Sequence, residues 1–105
     1  MKLRYTPEAR EDVRNVKTYI AQQLRNLSAA ERITANILQC CAQLKAQPYM
    51  GLSMAERLGV ESDLYYLICG NYIAFYRPEK NNISVIRILD RRTDYMQTLF
   101  GRENN

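Results

Sequence analysis

Asp90-Arg91-Arg92-Thr93-Asp94-Tyr95 gathers the side chains of this sequence best suited to chemistry on a phosphate. Guanidinium groups meet phosphate oxygens through paired hydrogen bonds and stabilise charge developing there, and a tyrosine hydroxyl beside them can carry a proton. Arg91, Arg92 and Tyr95 are therefore candidate site residues, with Arg57 and Arg87 as additions from earlier in the chain. A structural reading stands beside each. Arg91 and Arg92 also suit a solvated pair neutralised by Asp90 and Asp94. Arg87, flanked by Ile86 and Ile88, suits a half-buried ion pair as well as a site. Against the structural reading, cations at the positive end of a helix lose about 0.3 to 1 kcal/mol.

The chain of 105 residues contains no histidine. Ser-His-Asp and Cys-His arrangements and histidine-based zinc sites are thereby excluded, and any catalysis falls to Arg, Lys, Tyr, Asp or Glu. Three cysteines, Cys40, Cys41 and Cys69, are an odd number without metal-ligand spacing. They read as small buried hydrophobes, Cys40 and Cys41 pointing to different faces of a helix. No metal and no cofactor is expected.

Three short strands deliver the basic cluster. Tyr65 to Cys69 is apolar and aromatic, Gly70-Asn71 is a turn signal, and Tyr72 to Arg77 runs apolar again until Pro78 to Asn82 breaks the chain. Ile83 to Leu89 is a β-branched third strand, and a final helix is expected over about Arg92 to Phe100, bringing Tyr95, Met96, Leu99 and Phe100 to one side. Gly101 to Asn105 reads as a polar tail that frays. Tyr65, Tyr66, Tyr72 and Tyr76 suit cross-strand packing first and base stacking second.

Upstream, Lys2 to Tyr5 is a short strand and Thr6-Pro7 opens a helix, Thr as N-cap and Pro at the first helical position, with Glu8, Glu11 and Asp12 near its positive end. Ala9, Val13, Val16, Ile20 and Leu24 form one apolar stripe. Arg10, Arg14 and Lys17 recur on the outer side, a solvated face before it is a contact surface. Ser28-Ala29-Ala30-Glu31 has the form of a capping box for a second helix, whose inner face carries Ile33, Ile37, Cys40, Cys41 and Leu44 until Pro48 stops it. So short a link implies an antiparallel hairpin, and its stripes need a sheet to cover them. Tyr49 to Ser62, with Gly51 and Gly59 and no period, reads as a loop.

With 47% hydrophobic residues, one domain over 1–105 can build a single core. Net charge is +4, and residues 1–50 hold eight Lys+Arg against four Asp+Glu, whereas residues 51–105 hold seven of each. The excess lies on the helical half and permits an acidic or nucleic-acid partner without naming one. Met1 to Arg10 has no apolar block, so no signal peptide or membrane span is expected and the cytoplasm is the expected location.

A strand, a helical hairpin starting Thr6-Pro7-Glu8-Ala9, the turn Pro48-Tyr49-Met50-Gly51 and the run from Tyr65 to Arg77 together resemble the RelE/ParE toxins of type II toxin-antitoxin modules. The ending is similar too: Ile86-Arg87-Ile88-Leu89, then Arg91 to Tyr95, then Leu99-Phe100. The resemblance spans nearly the whole chain in order. It implies an α+β fold: an N-terminal strand, an antiparallel helical hairpin on a mainly antiparallel sheet of about four strands, and a short C-terminal helix. It also implies a bacterial growth inhibitor associated with plasmid stabilisation, held by a cognate antitoxin, with operator DNA reached only through that antitoxin and no membrane partner.

Members of this family act in two ways, so fold alone does not choose the target. RelE-like members cut mRNA on the ribosome without metal, and ParE-like members poison DNA gyrase. The resemblance places Tyr66 and Ile68 where the RelE-type lysines of the second strand would lie, and Ile73 where an arginine would follow the tyrosine of the third. Asp90 stands where many relatives have histidine. These departures favour the gyrase target. The alternatives are an mRNA endoribonuclease using Arg57, Arg87, Arg91, Arg92 and Tyr95, and an inactive module that keeps the antitoxin interface.

Overall fold

A computed structural model describes residues 1–59 and 61–101, so the expected fraying of 102–105 lies outside the described residues. The elements in order are β1 (Lys2–Tyr5), α1 (Pro7–Gln23), α2 (Leu27–Ala42), β2 (Leu52–Ser53), α3 (Met54–Leu58), β3 (Tyr65–Cys69), β4 (Tyr72–Pro78), β5 (Asn82–Asp90) and α4 (Tyr95–Phe100). The architecture is the expected α+β one. The sheet has five strands in the order β1-β5-β4-β3-β2, one more than anticipated. The extra strand is the two-residue β2, antiparallel to β3 through Leu52↔Tyr66 and Ser53↔Tyr65. β1 lies parallel to β5 from Lys2↔Asn82 to Tyr5↔Val85, while β3-β4 and β4-β5 are antiparallel.

The central strand explains why the molecule has a core on each side. Tyr72, Ile73, Ala74, Phe75 and Tyr76 are all buried, so both faces of β4 are covered. Tyr72, Ala74 and Tyr76 pack with Ala9 of α1 and with Ile37, Cys41 and Leu44 along α2 and the short 3-10 turn that continues it. Ile73 and Phe75 point the other way and pack with Met54, Leu64 and the half-buried Leu58, Tyr95, Met96 and Leu99. The sheet is thus sandwiched between the α1-α2 hairpin and the two short helices α3 and α4.

α1 starts as the sequence implies: Thr6 Oγ1 accepts the Ala9 N–H at 3.1 Å. Its stripe ends at Ile20, since Leu24 caps the helix and faces solvent. α2 begins earlier than expected. Asn26, not Ser28, is its N-cap, because the Asn26 side chain accepts the Ala29 N–H at 3.0 Å. The segment read as a loop contains α3, capped by Ser53 Oγ on the Glu56 N–H and closed by Gly59 at φ 71°. Five residues are too few to show a helical period, yet they bury Met54 completely. α4 begins at Tyr95 rather than Arg92, because Thr93 N–H closes a turn on the Asp90 carbonyl at 3.0 Å and Asp94 caps the helix through the Gln97 N–H. Arg91 and Arg92 therefore lie outside the helix.

β1 covers only the first half of β5, and the chain that follows finishes the job. Thr6 N–H donates to the Val85 carbonyl at 3.0 Å, Thr6 Oγ1 donates to the Ile86 carbonyl at 2.9 Å, and Asp12 Oδ2 accepts the Ile88 N–H at 2.9 Å. A bulge beside this edge, where Phe75 opposes Arg87 but Tyr76 opposes Val85, leaves Ile86 as the extra residue.

Candidate functional site

On the sheet face away from the helical hairpin, α3 carries Arg57 to two tyrosines from different elements. Arg57 Nη2 donates to Tyr95 Oη at 2.8 Å, and Nη1 lies 3.5 Å from Tyr66 Oη. Its guanidinium carbon is 5.7 Å from the centroid of the Tyr66 ring and 6.0 Å from that of Tyr95. Phe75 lies beneath, with its centroid 6.3 Å from Tyr66 and 5.4 Å from Tyr95. The hydrogen bond to Tyr66 and the neighbourhood of Tyr95 push the already basic Arg57 further up, so it stays a cation at any working pH. An exposed, permanently charged plane on an aromatic bed can receive an anionic oxygen or stack on a flat ring.

The other candidate arginines lie on β5, where Arg87 is the register partner of Phe75, and just after its end, and each is engaged by other groups. Arg87 Nε and Nη2 donate to Asp12 at 2.7 and 2.9 Å, a bidentate pair on the edge completed by α1. This pairing raises the basicity of Arg87. Arg91 holds the β3-β4 turn: its backbone N–H donates to the Asn71 carbonyl at 3.0 Å and Nη1 to the Gly70 carbonyl at 3.2 Å. Arg92 grips Asp90 through Nε at 3.0 Å and Nη2 at 2.7 Å, while its own N–H donates to Asp90 Oδ1 at 2.8 Å. Those bonds hold the Asp90 carboxyl below its ordinary range, although its partial burial works against them. Among the described residues, Arg57 and Arg91 are the two of the four candidate arginines without a carboxylate partner.

Of the five sequence candidates, only Arg57 and Tyr95 form a direct pair. The strand positions that would add charge beside them hold Tyr66, the exposed Ile68 and the buried Ile73, and Ile68 and Ile73 are register partners across β3-β4. Asp12 was not singled out as an ion-pair partner by the sequence reading. Its signal was present: it falls three residues after Ala9 and four before Val16, on the buried stripe of α1, where a carboxylate needs a partner.

Comparison with known proteins gives a family match and solved structures of similar fold. The family described as "ParE toxin of type II toxin-antitoxin system, parDE" matches residues 3–95. A solved structure titled "Chromosomal ParDE TA system from P. aeruginosa" is similar in fold, with a TM-score of 0.73 at 16% identity over 86% of this chain and 95% of that one. No curated protein matches the sequence.

Proposed function

Because this chain belongs to the ParE toxin family of type II toxin-antitoxin systems, we propose that it is a single-domain growth inhibitor that acts on DNA gyrase and is held inactive by a cognate antitoxin. The observation carrying the target is the composition of the face around Arg57. Metal-independent cleavage of RNA needs several cations converging on one phosphate, together with a proton carrier. Here Arg57 stands with Tyr66, Phe75 and Tyr95, while Arg87 and Arg92 are spent on Asp12 and Asp90. The neighbour's title names a ParDE system, which supports an antitoxin as the partner.

A second reading, ribosome-dependent mRNA cleavage, is favoured by one feature, the 2.8 Å hydrogen bond from Arg57 to Tyr95. Its site would centre on Arg57 and Tyr95. The deciding experiment adds the purified chain to gyrase supercoiling reactions and, in parallel, to translating ribosomes with a defined mRNA. Loss of supercoiling with intact mRNA is expected. Cut mRNA with unaffected gyrase would reverse the assignment, and Arg57→Ala would then be the variant that abolishes cleavage.

A further inference from the structure

The three cysteines converge at the junction of α2 with β3, with Cys69 in hydrogen-bond contact with both of the others. Cys69, the last residue of β3, is buried and its thiol donates to Cys40 Sγ at 2.6 Å. Cys40 is half-buried and lines a cleft of about 420 Å³ that opens between α2 and the β3-β4 turn, with Ile33, Asn36, Ile68 and Tyr72 among its walls. Cys41, one step round the helix, is completely buried in the hairpin core. All three are free thiols.

We propose that Cys40 is an oxidant-reactive thiol and Cys69 its resolving partner, so that a hydroperoxide converts the pair into a disulfide that ties α2 to β3. Accessibility sets the order. Cys40 is the most exposed of the three, whereas Cys69, which also lines the cleft, is buried, and its thiol is pushed up by its hydrogen bond with Cys41 and by burial. Cys41 is held down by hydrogen bonds from Cys69 and Tyr5, but no oxidant reaches it. The Cys40 thiolate attacks one peroxide oxygen, the O–O bond breaks, and the departing hydroxide takes the thiol proton as water. Cys40 is left as a sulfenic acid. The Cys69 sulfur then attacks the Cys40 sulfur, the S–O bond breaks, and the hydroxide leaves with the Cys69 proton as a second water. Two thiols are oxidised and one peroxide is reduced. A vicinal Cys40–Cys41 bond is disfavoured, because the side chains of adjacent helical residues diverge. The sulfur atoms of Cys40 and Cys69 need only close to the ~2.05 Å of a disulfide bond.

The test treats the reduced full-length chain with hydrogen peroxide, blocks remaining thiols after unfolding, and measures intact mass and a non-reducing peptide map. The expected result is loss of two hydrogens per chain, with the Cys69 peptide joined to the Cys40-Cys41 peptide at Cys40 on fragmentation. Cys41→Ser should form the same link, and Cys69→Ser should stop at a sulfenic acid that dimedone traps on Cys40. The oxidised chain should melt at a higher temperature, and dithiothreitol should reverse the shift. A link placed on Cys41, a bond between two chains, or unchanged mass in the folded chain would overturn the proposal.

Discussion

Removing the Asp12 carboxylate should be among the most damaging surface-to-core changes in this molecule. Three donors converge on it: Arg87 Nε at 2.7 Å, Arg87 Nη2 at 2.9 Å and the Ile88 N–H at 2.9 Å. The side chains are 10% exposed for Asp12 and 27% for Arg87, so water can recover part of the guanidinium but little of the rest. Breaking a buried ion pair by deleting one member costs about 3 to 5 kcal/mol, and the partial exposure of Arg87 puts Asp12→Ala near the lower end. At about 3 kcal/mol, a domain of this size loses roughly 12 to 20 °C in melting temperature. Asp12→Asn keeps an acceptor for the Ile88 N–H and should lose about 1.5 to 2 kcal/mol. Urea unfolding at neutral pH measures each, and a cycle with Arg87→Met should show coupling of at least about 1 kcal/mol. If Asp12→Ala costs less than about 0.5 kcal/mol, or if the two sites add without coupling, then α1 does not close the edge of β5 as argued.

Three further outcomes follow from other parts of the fold. Ile37→Ala empties a site on α2 that is 1% exposed and should cost about 2 to 5 kcal/mol in the same unfolding assay, an effect below about 0.5 kcal/mol meaning that the helical hairpin is not seated on the sheet. Gly51→Ala should destabilise sharply in thermal melts, since its Cβ would stand 2.5 Å from the Tyr66 carbonyl oxygen and 2.7 Å from Tyr76 Oη; a neutral melt would show that this turn does not approach β3 and β4. Because Arg92 lowers the folded-state pKa of Asp90, the stability of that turn is present above the ordinary carboxylate value and is lost as pH falls through the depressed one. Carbon-13 titration of the Asp90 carboxyl should therefore give a midpoint below about 3.9, and a midpoint at or above it would mean that the pair is open in solution.

What the sequence made legible was whatever repeats with a period or carries a strong cap. Thr6-Pro7 fixed the start of α1, the β-branched and aromatic runs marked β3, β4 and β5, and the stripe through Ile37 and Leu44 marked the buried side of α2 and its 3-10 extension. The face holding α3 was harder to see, because a two-residue strand and a five-residue helix are shorter than any period. Ser53 with Glu56 and Gly59 did carry the cap pattern of a short helix. At the site, residue types pointed to arginines, but sequence distance could not say which of them a carboxylate would claim. Arg87 meets Asp12 across 75 positions, and only the fold brings them together.

The parallel pairing of β1 with β5 also sets a timetable. Lys2 waits for Asn82, and Thr6 for Ile86, a separation of 80 residues that a ribosome covers in roughly 4 to 16 seconds at ordinary elongation rates. During that interval α1 and α2 can coil and meet, because their contacts are local, but the strands that bury their inner faces have not yet emerged. The nascent chain therefore carries an uncovered apolar helical hairpin while β1 has no strand to lie against. The sheet that seats the helical hairpin is complete only when translation has delivered β5, so the core on that side closes at the very end of synthesis.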